Sequence, residues 1–150
     1  MITPLQCALL LDVKPVIEAI RRCAGAHLKL VGDAADNDAT KDTTAPAAFV
    51  IPGQQSARDT SNTNAVLEVG EFEIGVLMIF RSYRDKGQGE GFAAQAAPAI
   101  GAVREALIGF RYGGLERGLV WKGGRLFSYG AGVMRWIETF TVRLDIRKAT

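Results

Sequence analysis

Apolar positions recur along this chain at two spacings, one helical and one extended. Between Val13 and Ala24, the residues Val16, Ile17, Ala19, Ile20 and Cys23 form a stripe opposite Glu18, Arg21 and Arg22. With Pro15 in the first turn and Gly25 as a stop, this spacing predicts a helix. Leu28–Val31 reads as a short strand. Gly32 to Thr44, rich in Asp and without a large apolar residue, reads as a solvated loop. Ala47–Ile51 is a short apolar run between Pro46 and Pro52, which predicts a strand with capped ends. The polar stretch Gly53–Asn64 then predicts a long mobile excursion between two strands.

The strongest extended pattern runs from Leu67 to Tyr83. Phe72, Ile74, Val76, Met78 and Phe80 share one face at period two, and Glu71, Glu73 and Arg81 take the other. Leu77 and Ile79 interrupt the polar face, so the middle of this strand is expected to be covered on both sides. Beyond Arg84–Gly91, a helix is predicted over Phe92–Ile108, with Ala97, Ile100, Val103, Ala106 and Leu107 as its apolar stripe and Gly109 as its cap. Pro98 inside that run predicts a kink or the start of the regular helix. Leu119–Trp121 and Leu126–Tyr129 flank Lys122-Gly123-Gly124-Arg125, whose glycine pair predicts a tight hairpin turn. Met134–Ile146 is a long strand with Trp136, Phe140, Val142, Leu144 and Ile146 on one face and Arg135, Thr139, Thr141, Arg143 and Asp145 on the other. Glu138 falls on the apolar face beside Ile137, where a bulge is expected to re-aim the two. This order belongs to the α+β class: a single domain over residues 1–150, with a mainly antiparallel mixed sheet and two helices packed on one face.

Composition sharpens this picture in three respects. At 48% hydrophobic and 23% charged residues over 150 positions, the chain can fold around one core, which excludes global disorder. No apolar run approaches the roughly 20 residues that span a bilayer, and Met1–Gln6 lacks a basic n-region. A cytosolic chain, or one built into a particle assembled there, is therefore expected, with no membrane partner. The net charge of +2 also conceals an asymmetry: nine basic and twelve acidic side chains over residues 1–103 against nine basic and four acidic over 104–150. Such a −3 and +5 division suits orientation of a partner, whereas the lack of a dense Lys/Arg run argues against sequence-specific nucleic-acid binding.

The residues that carry chemistry do not assemble into a site. Cys7 and Cys23 are expected to be buried thiols that act as small hydrophobes. His27 follows Cys23 by four residues but no second ligand pair exists, and Asp33, Asp36, Asp38 and Asp42 lack EF-hand spacing, so no metal is expected. Gly87-Gln88-Gly89-Glu90-Gly91 sits between a strand and a helix, as phosphate-binding loops do, but Phe92 stands where a dinucleotide fingerprint needs its third glycine. With no Lys-Ser/Thr after it, no nucleotide cofactor is expected. None of Ser56, Ser61, Ser82 and Ser128 lies in a Gly-x-Ser-x-Gly elbow, and His27 is the only histidine, so no catalytic residues are assigned. Phe72, Phe80, Trp121, Phe127, Trp136 and Phe140 occur at strand spacing and are expected in the core rather than stacked on bases.

Taken in order, the pieces resemble the tail terminator proteins of long-tailed bacteriophages. The resemblance rests on Pro46-Ala47-Ala48-Phe49-Val50-Ile51-Pro52, the strand Phe72–Arg81, Asp85-Lys86-Gly87, Leu107-Ile108-Gly109, Lys122-Gly123-Gly124-Arg125 and the final strand Met134–Arg147. It covers nearly the whole chain, and its weight comes from the order of short motifs. It implies an assembly role without catalysis: a homohexameric ring at the head-proximal end of the virion tail, assembled in the host cytoplasm. Such a ring caps the tube of major tail proteins, stops its polymerisation and offers a joining surface to the head connector, with genomic DNA passing through the lumen without sequence-specific binding. A closed heterologous ring shows two unlike side surfaces. On that expectation Glu71, Glu73, Arg81, Arg135 and Arg143 pair across subunits, while Gln54, Gln55, Arg58 and Asn62 meet the next subunit or the tube end as the Gly53–Asn64 loop becomes ordered. Two other readings are compatible with the pattern: another head–tail junction or tail completion component, and a small α+β enzyme with an unrecognised site.

Overall fold

The fifteen-residue strand at the centre of the sequence is also the centre of the sheet. In a computed structural model, which describes residues 1–35, 45–57, 67–81 and 90–148, the elements are α1 (Pro4–Leu9), α2 (Lys14–Ala24), β1 (Leu30–Asp33), β2 (Ala47–Ala57), β3 (Leu67–Arg81), α3 (Glu90–Leu107), β4 (Val120–Gly130) and β5 (Val133–Arg147). The sheet order is β1-β2-β3-β5-β4, with β1 parallel to β2 and every other pair antiparallel. This is the expected α+β mixed sheet, with three helices rather than two.

Register explains the two faces. Phe72, Ile74, Val76, Met78 and Phe80 on β3 lie opposite Val142, Phe140, Glu138, Trp136 and Met134 on β5, so these side chains share the inner face. All five β3 residues are fully buried in a core that includes Val16, Ile20, Ala99, Val103 and Leu107 from the helices. Burying each such large side chain contributes about 1.5–3 kcal/mol. On the other face Ala47, Phe49, Ile79 and Val133 form a second, smaller cluster, so the middle of β3 is covered on both sides, as Leu77 and Ile79 predicted. Arg21 fastens α2 to the sheet by donating from Nη2 to the Val31 carbonyl at 2.7 Å.

Several local expectations are corrected. α1 carries no apolar periodicity, but Thr3 and Gln6 close a reciprocal cap: Gln6 N–H donates to Thr3 Oγ1 at 3.2 Å and Thr3 N–H to Gln6 Oε1 at 2.9 Å. The loop reading of Gly53–Asn64 fails over its first part, because β2 continues past Pro52 to Ala57 through an irregularity between Pro52 and Gln55. The remainder of that stretch, with Arg58 and Asn62, lies outside the described residues. Gly32 and Asp33 likewise belong to β1. α3 starts at Glu90 and runs through Pro98, and its buried stripe is Phe92, Ala96, Ala99, Val103 and Leu107, leaving Ala97 exposed. Cys7 is buried as expected, whereas Cys23 is exposed and Ala24 occupies the core position.

The hairpin turn is displaced as well. Lys122–Arg125 is not a turn: β4 is continuous, with register shifts at Trp121/Gly123 and Leu126/Ser128. The chain reverses instead between Gly130 and Val133, where Ala131 and Gly132 take φ of 52° and 76°, the two positive values that match strand twist in a two-residue turn. The glycine pair serves another purpose, since a Cβ on Gly124 would collide with Glu138 Oε1 and the Trp136 indole.

Candidate functional site

Of the nine residues singled out for assembly, Arg58 and Asn62 lie outside the described residues, and the other seven separate into four places. Gln54, Glu71 and Glu73 come together on the outer face, where they line an open groove of about 330 Å³ with Ser56, Lys122, Thr139 and Thr141. Arg143 lies opposite Glu71 in the ladder, but its Nε sits 3.3 Å from Asp145 Oδ1, and Arg117 Nη2 is 3.8 Å from the other oxygen of that carboxylate. Arg81 and Arg135 occupy the far end of the same face, with Arg135 Nη1 3.5 Å from Ser128 Oγ. Ten residues of strand separate Glu71 from Arg81, about 33 Å, so these two charges do not pair with each other within one subunit.

Gln55 is turned to the helix side. Its Nε2 donates to the Cys7 carbonyl at 2.8 Å, and the Cys7 thiol donates to its Oε1 at 3.5 Å, which tethers α1 to β2. Burial pushes the Cys7 thiol pKa up, so this sulfur is a packing atom rather than a nucleophile.

The most constrained polar cluster surrounds Glu138. Regular pairing of β3 with β5 leaves no bulge on β5, so the expected re-aiming does not occur and Glu138 stays on the apolar face, fully buried. Arg104, in the last turn of α3, donates from Nη2 to Oε1 at 2.6 Å and from Nε to Oε2 at 3.0 Å. The Trp136 indole N–H donates to Oε1 at 2.8 Å and that of Trp121 to Oε2 at 2.6 Å. Four donors thus satisfy both oxygens, and the Arg104 guanidinium also lies over the Trp121 ring, 4.6 Å from its centroid. The hydrogen bonds to Glu138 raise the Arg104 pKa, so the guanidinium stays charged. With both oxygens saturated, the carboxylate holds α3, β4 and β5 in one arrangement.

Sequence reasoning found Glu138 only as an anomaly and missed its partners. The acidic residue in an apolar row was a usable signal, but Arg104 lies thirty-four positions away, with no local pattern to join the two. Trp121 and Phe127, expected in the core, are exposed on β4. At the end of β5 a further charge group forms: the N-terminal amine donates to Glu116 Oε1 at 2.7 Å, which lowers the Glu116 pKa. Among the described residues no group of three or more His, Cys, Asp and Glu side chains is placed to hold a metal, and no helix is long and apolar enough to cross a membrane. Gly87–Gly89 lie outside the described residues, and Glu90 and Gly91 open α3.

Comparison with known proteins gives one family. A family model described as phage tail terminator protein matches residues 8–150. No curated protein sequence matches. Among solved structures, a chain in the virion of a native gene transfer agent particle resembles this one at 19% identity and a TM-score of 0.47, over 89% of this chain and 91% of that chain.

Proposed function

Because the chain belongs to the phage tail terminator family, and is thus a structural component of the phage tail, we propose that it forms a homohexameric ring. The ring caps the tail tube at its head-proximal end, stops its polymerisation and receives the head connector. It encircles the passing genome without reading its sequence and performs no catalysis.

The observation that supports this reading is the outer sheet face, where Glu71 and Glu73 lie with Lys122 at one end and Arg81 and Arg135 lie at the other. Charges about 33 Å apart on one subunit are brought together when identical subunits meet head to tail, the geometry that closes into a ring.

Electron micrographs of tail tubes polymerised with and without the protein test the proposal. Expected are tubes of bounded length with a six-fold ring at one end. Tubes that go on lengthening in saturating protein would overturn it.

A further inference from the structure

The groove on the outer sheet face originates in the register of the strands. Gly75 on β3 and Gly123 on β4 lie opposite Thr139 on β5, so no side chain stands on either side of that threonine and the sheet surface is low there. In the next row of the same face Glu73 lies opposite Thr141, and Glu71 follows two residues on, about 7 Å along the strand. Gln54 and Ser56 from β2 close one side of the space, and Lys122 from β4 closes the other.

The polar groups of this groove are unmatched. Thr141 is only 9% exposed, yet its hydroxyl has no hydrogen-bond partner among the described residues and opens onto the groove. A buried hydroxyl without a partner carries a desolvation cost that a guest can relieve. Glu71 and Glu73, both half-buried, likewise form no ion pair or side-chain hydrogen bond among the described residues. Set against the ammonium of Lys122, one base to two acids, they leave the groove with a charge of −1.

Charge and shape select the guest. The two carboxylates repel an anion. A divalent metal would find just those two carboxylates, beside a competing ammonium, in a groove open to water. A guanidinium matches on every count. It is monovalent, weakly hydrated and planar, so it lies flat over a surface kept low by glycines. Its five N–H donors form a fixed fork that serves both carboxylates and the Thr141 hydroxyl together. A lysine ammonium, compact and strongly hydrated, brings three donors and serves fewer of them. An open groove encloses too little of a small free cation to hold it tightly, so the guanidinium arrives attached to a larger surface lying against the sheet.

We propose that this groove seats one arginine side chain of a neighbouring polypeptide in the assembled tail, with Glu71 and Glu73 as paired acceptors and Thr141 as a third. The site rests on the chain's membership of a tail-protein family and stands whether or not the assembly is a ring of six. Rigid strands hold all three acceptors in place before the arginine arrives, so little side-chain freedom remains to be lost on binding.

The probe is N-acetyl-arginine amide, titrated into the full chain and followed through the amide resonances of Glu71, Glu73 and Thr141. The lysine amide and the uncharged citrulline amide serve as controls on the wild-type chain, and Glu71→Gln/Glu73→Gln and Thr141→Val are titrated alike once circular dichroism shows them folded. Expected are saturable shifts with the arginine amide, at least about tenfold weaker binding of the citrulline amide and in the double variant, and about threefold weaker binding of the lysine amide and in Thr141→Val. Shifts that never saturate, or that persist unchanged in the double variant, would overturn the groove as a site. A lysine amide that binds as tightly would overturn the guanidinium as its guest. Tails assembled with the double variant that match wild-type tails in electron micrographs and in salt resistance would overturn an arginine of a neighbouring polypeptide as the occupant. A wild-type chain that binds the amide as expected but never forms rings would overturn the ring reading and support this one.

Discussion

Arg104 and Glu138, on different elements and thirty-four residues apart, form a two-point ion pair at 2.6 and 3.0 Å in which the carboxylate is wholly out of water. The pair fixes the last turn of α3 over β5, and through Trp121 it fixes β4 as well. A buried charge of this kind is seldom a net source of stability, but removing one partner is costly because the other remains.

Glu138→Gln should therefore cost about 3 kcal/mol, near the lower end for a broken buried pair because Arg104 is partly exposed. The new amide nitrogen would face guanidinium or indole donors, none of which can accept. Denaturant midpoints of Glu138→Gln, Arg104→Met and the double variant supply the measurement. The double should be less destabilised than the sum of the singles; simple additivity would show that the pair is not coupled.

Gly124→Ala should destabilise by about 1–3 kcal/mol, because its methyl group occupies the space of Glu138 Oε1 and Trp136. Both indoles bind that carboxylate, so a shift in tryptophan fluorescence should accompany the loss. An unchanged melting curve would mean that the missing Cβ at Gly124 is not what lets β4 pass close to Glu138.

Loss of the Gln55 tether should act locally. In Gln55→Ala the amides of α1 are expected to exchange faster, while the global midpoint moves by about 1 kcal/mol or less. Hydrogen exchange over residues 4–9 reads this directly, and unchanged rates there would refute it.

Alkaline stability should depend on Tyr112. Its hydroxyl donates to the Leu10 carbonyl at 3.1 Å, and burial, followed by the charge of Asp12, raises its pKa above the ordinary 10.0. The unfolded chain then releases this proton at lower pH than the folded one. The contribution of neutral Tyr112 is complete below about pH 10 and shrinks as pH rises toward the folded pKa. Tyr112→Phe should lose about 1 kcal/mol at neutral pH and show a shallower decline above pH 10. Equal slopes in both proteins would contradict the assignment.

Charge reversal addresses the outer face. Glu71→Lys/Glu73→Lys should weaken assembly and reduce its sensitivity to salt, and adding Arg81→Glu/Arg135→Glu should restore it in part. Sedimentation at low and high ionic strength checks both. A quadruple variant no better than the double would separate these residues from the interface.

Much of the fold was legible because burial imposes a period. β3, with five alternating core residues, and β5 matched their predicted faces, and α2 differed only in exchanging Cys23 for Ala24. The errors fall where local chemistry has two meanings. Gly123-Gly124 reads as a turn, but the same freedom from a Cβ lets a strand pass close to a buried carboxylate. Pro52 reads as a strand end, yet β2 continues past it through an irregular register. α1 is too short for a period and announced itself only through Thr3 and Gln6. The exposed apolar residues of β4 were hardest to read, because Trp121 and Phe127 sit at the same strand spacing as residues that are buried.

One consequence of the strand order concerns time. Among the described elements β5 comes last in the chain, yet it lies between β3 and β4 and is the ladder partner of β4. While the ribosome adds the sixty-six residues from Arg81 to Arg147, roughly 3–13 s at ordinary synthesis rates, the apolar length of β3 waits without its main neighbour. A nascent chain of this protein is thus at its stickiest between the synthesis of β3 and that of β5. Where many copies are made at once, the yield of folded chains then falls the longer β3 is left exposed to its neighbours before β5 arrives.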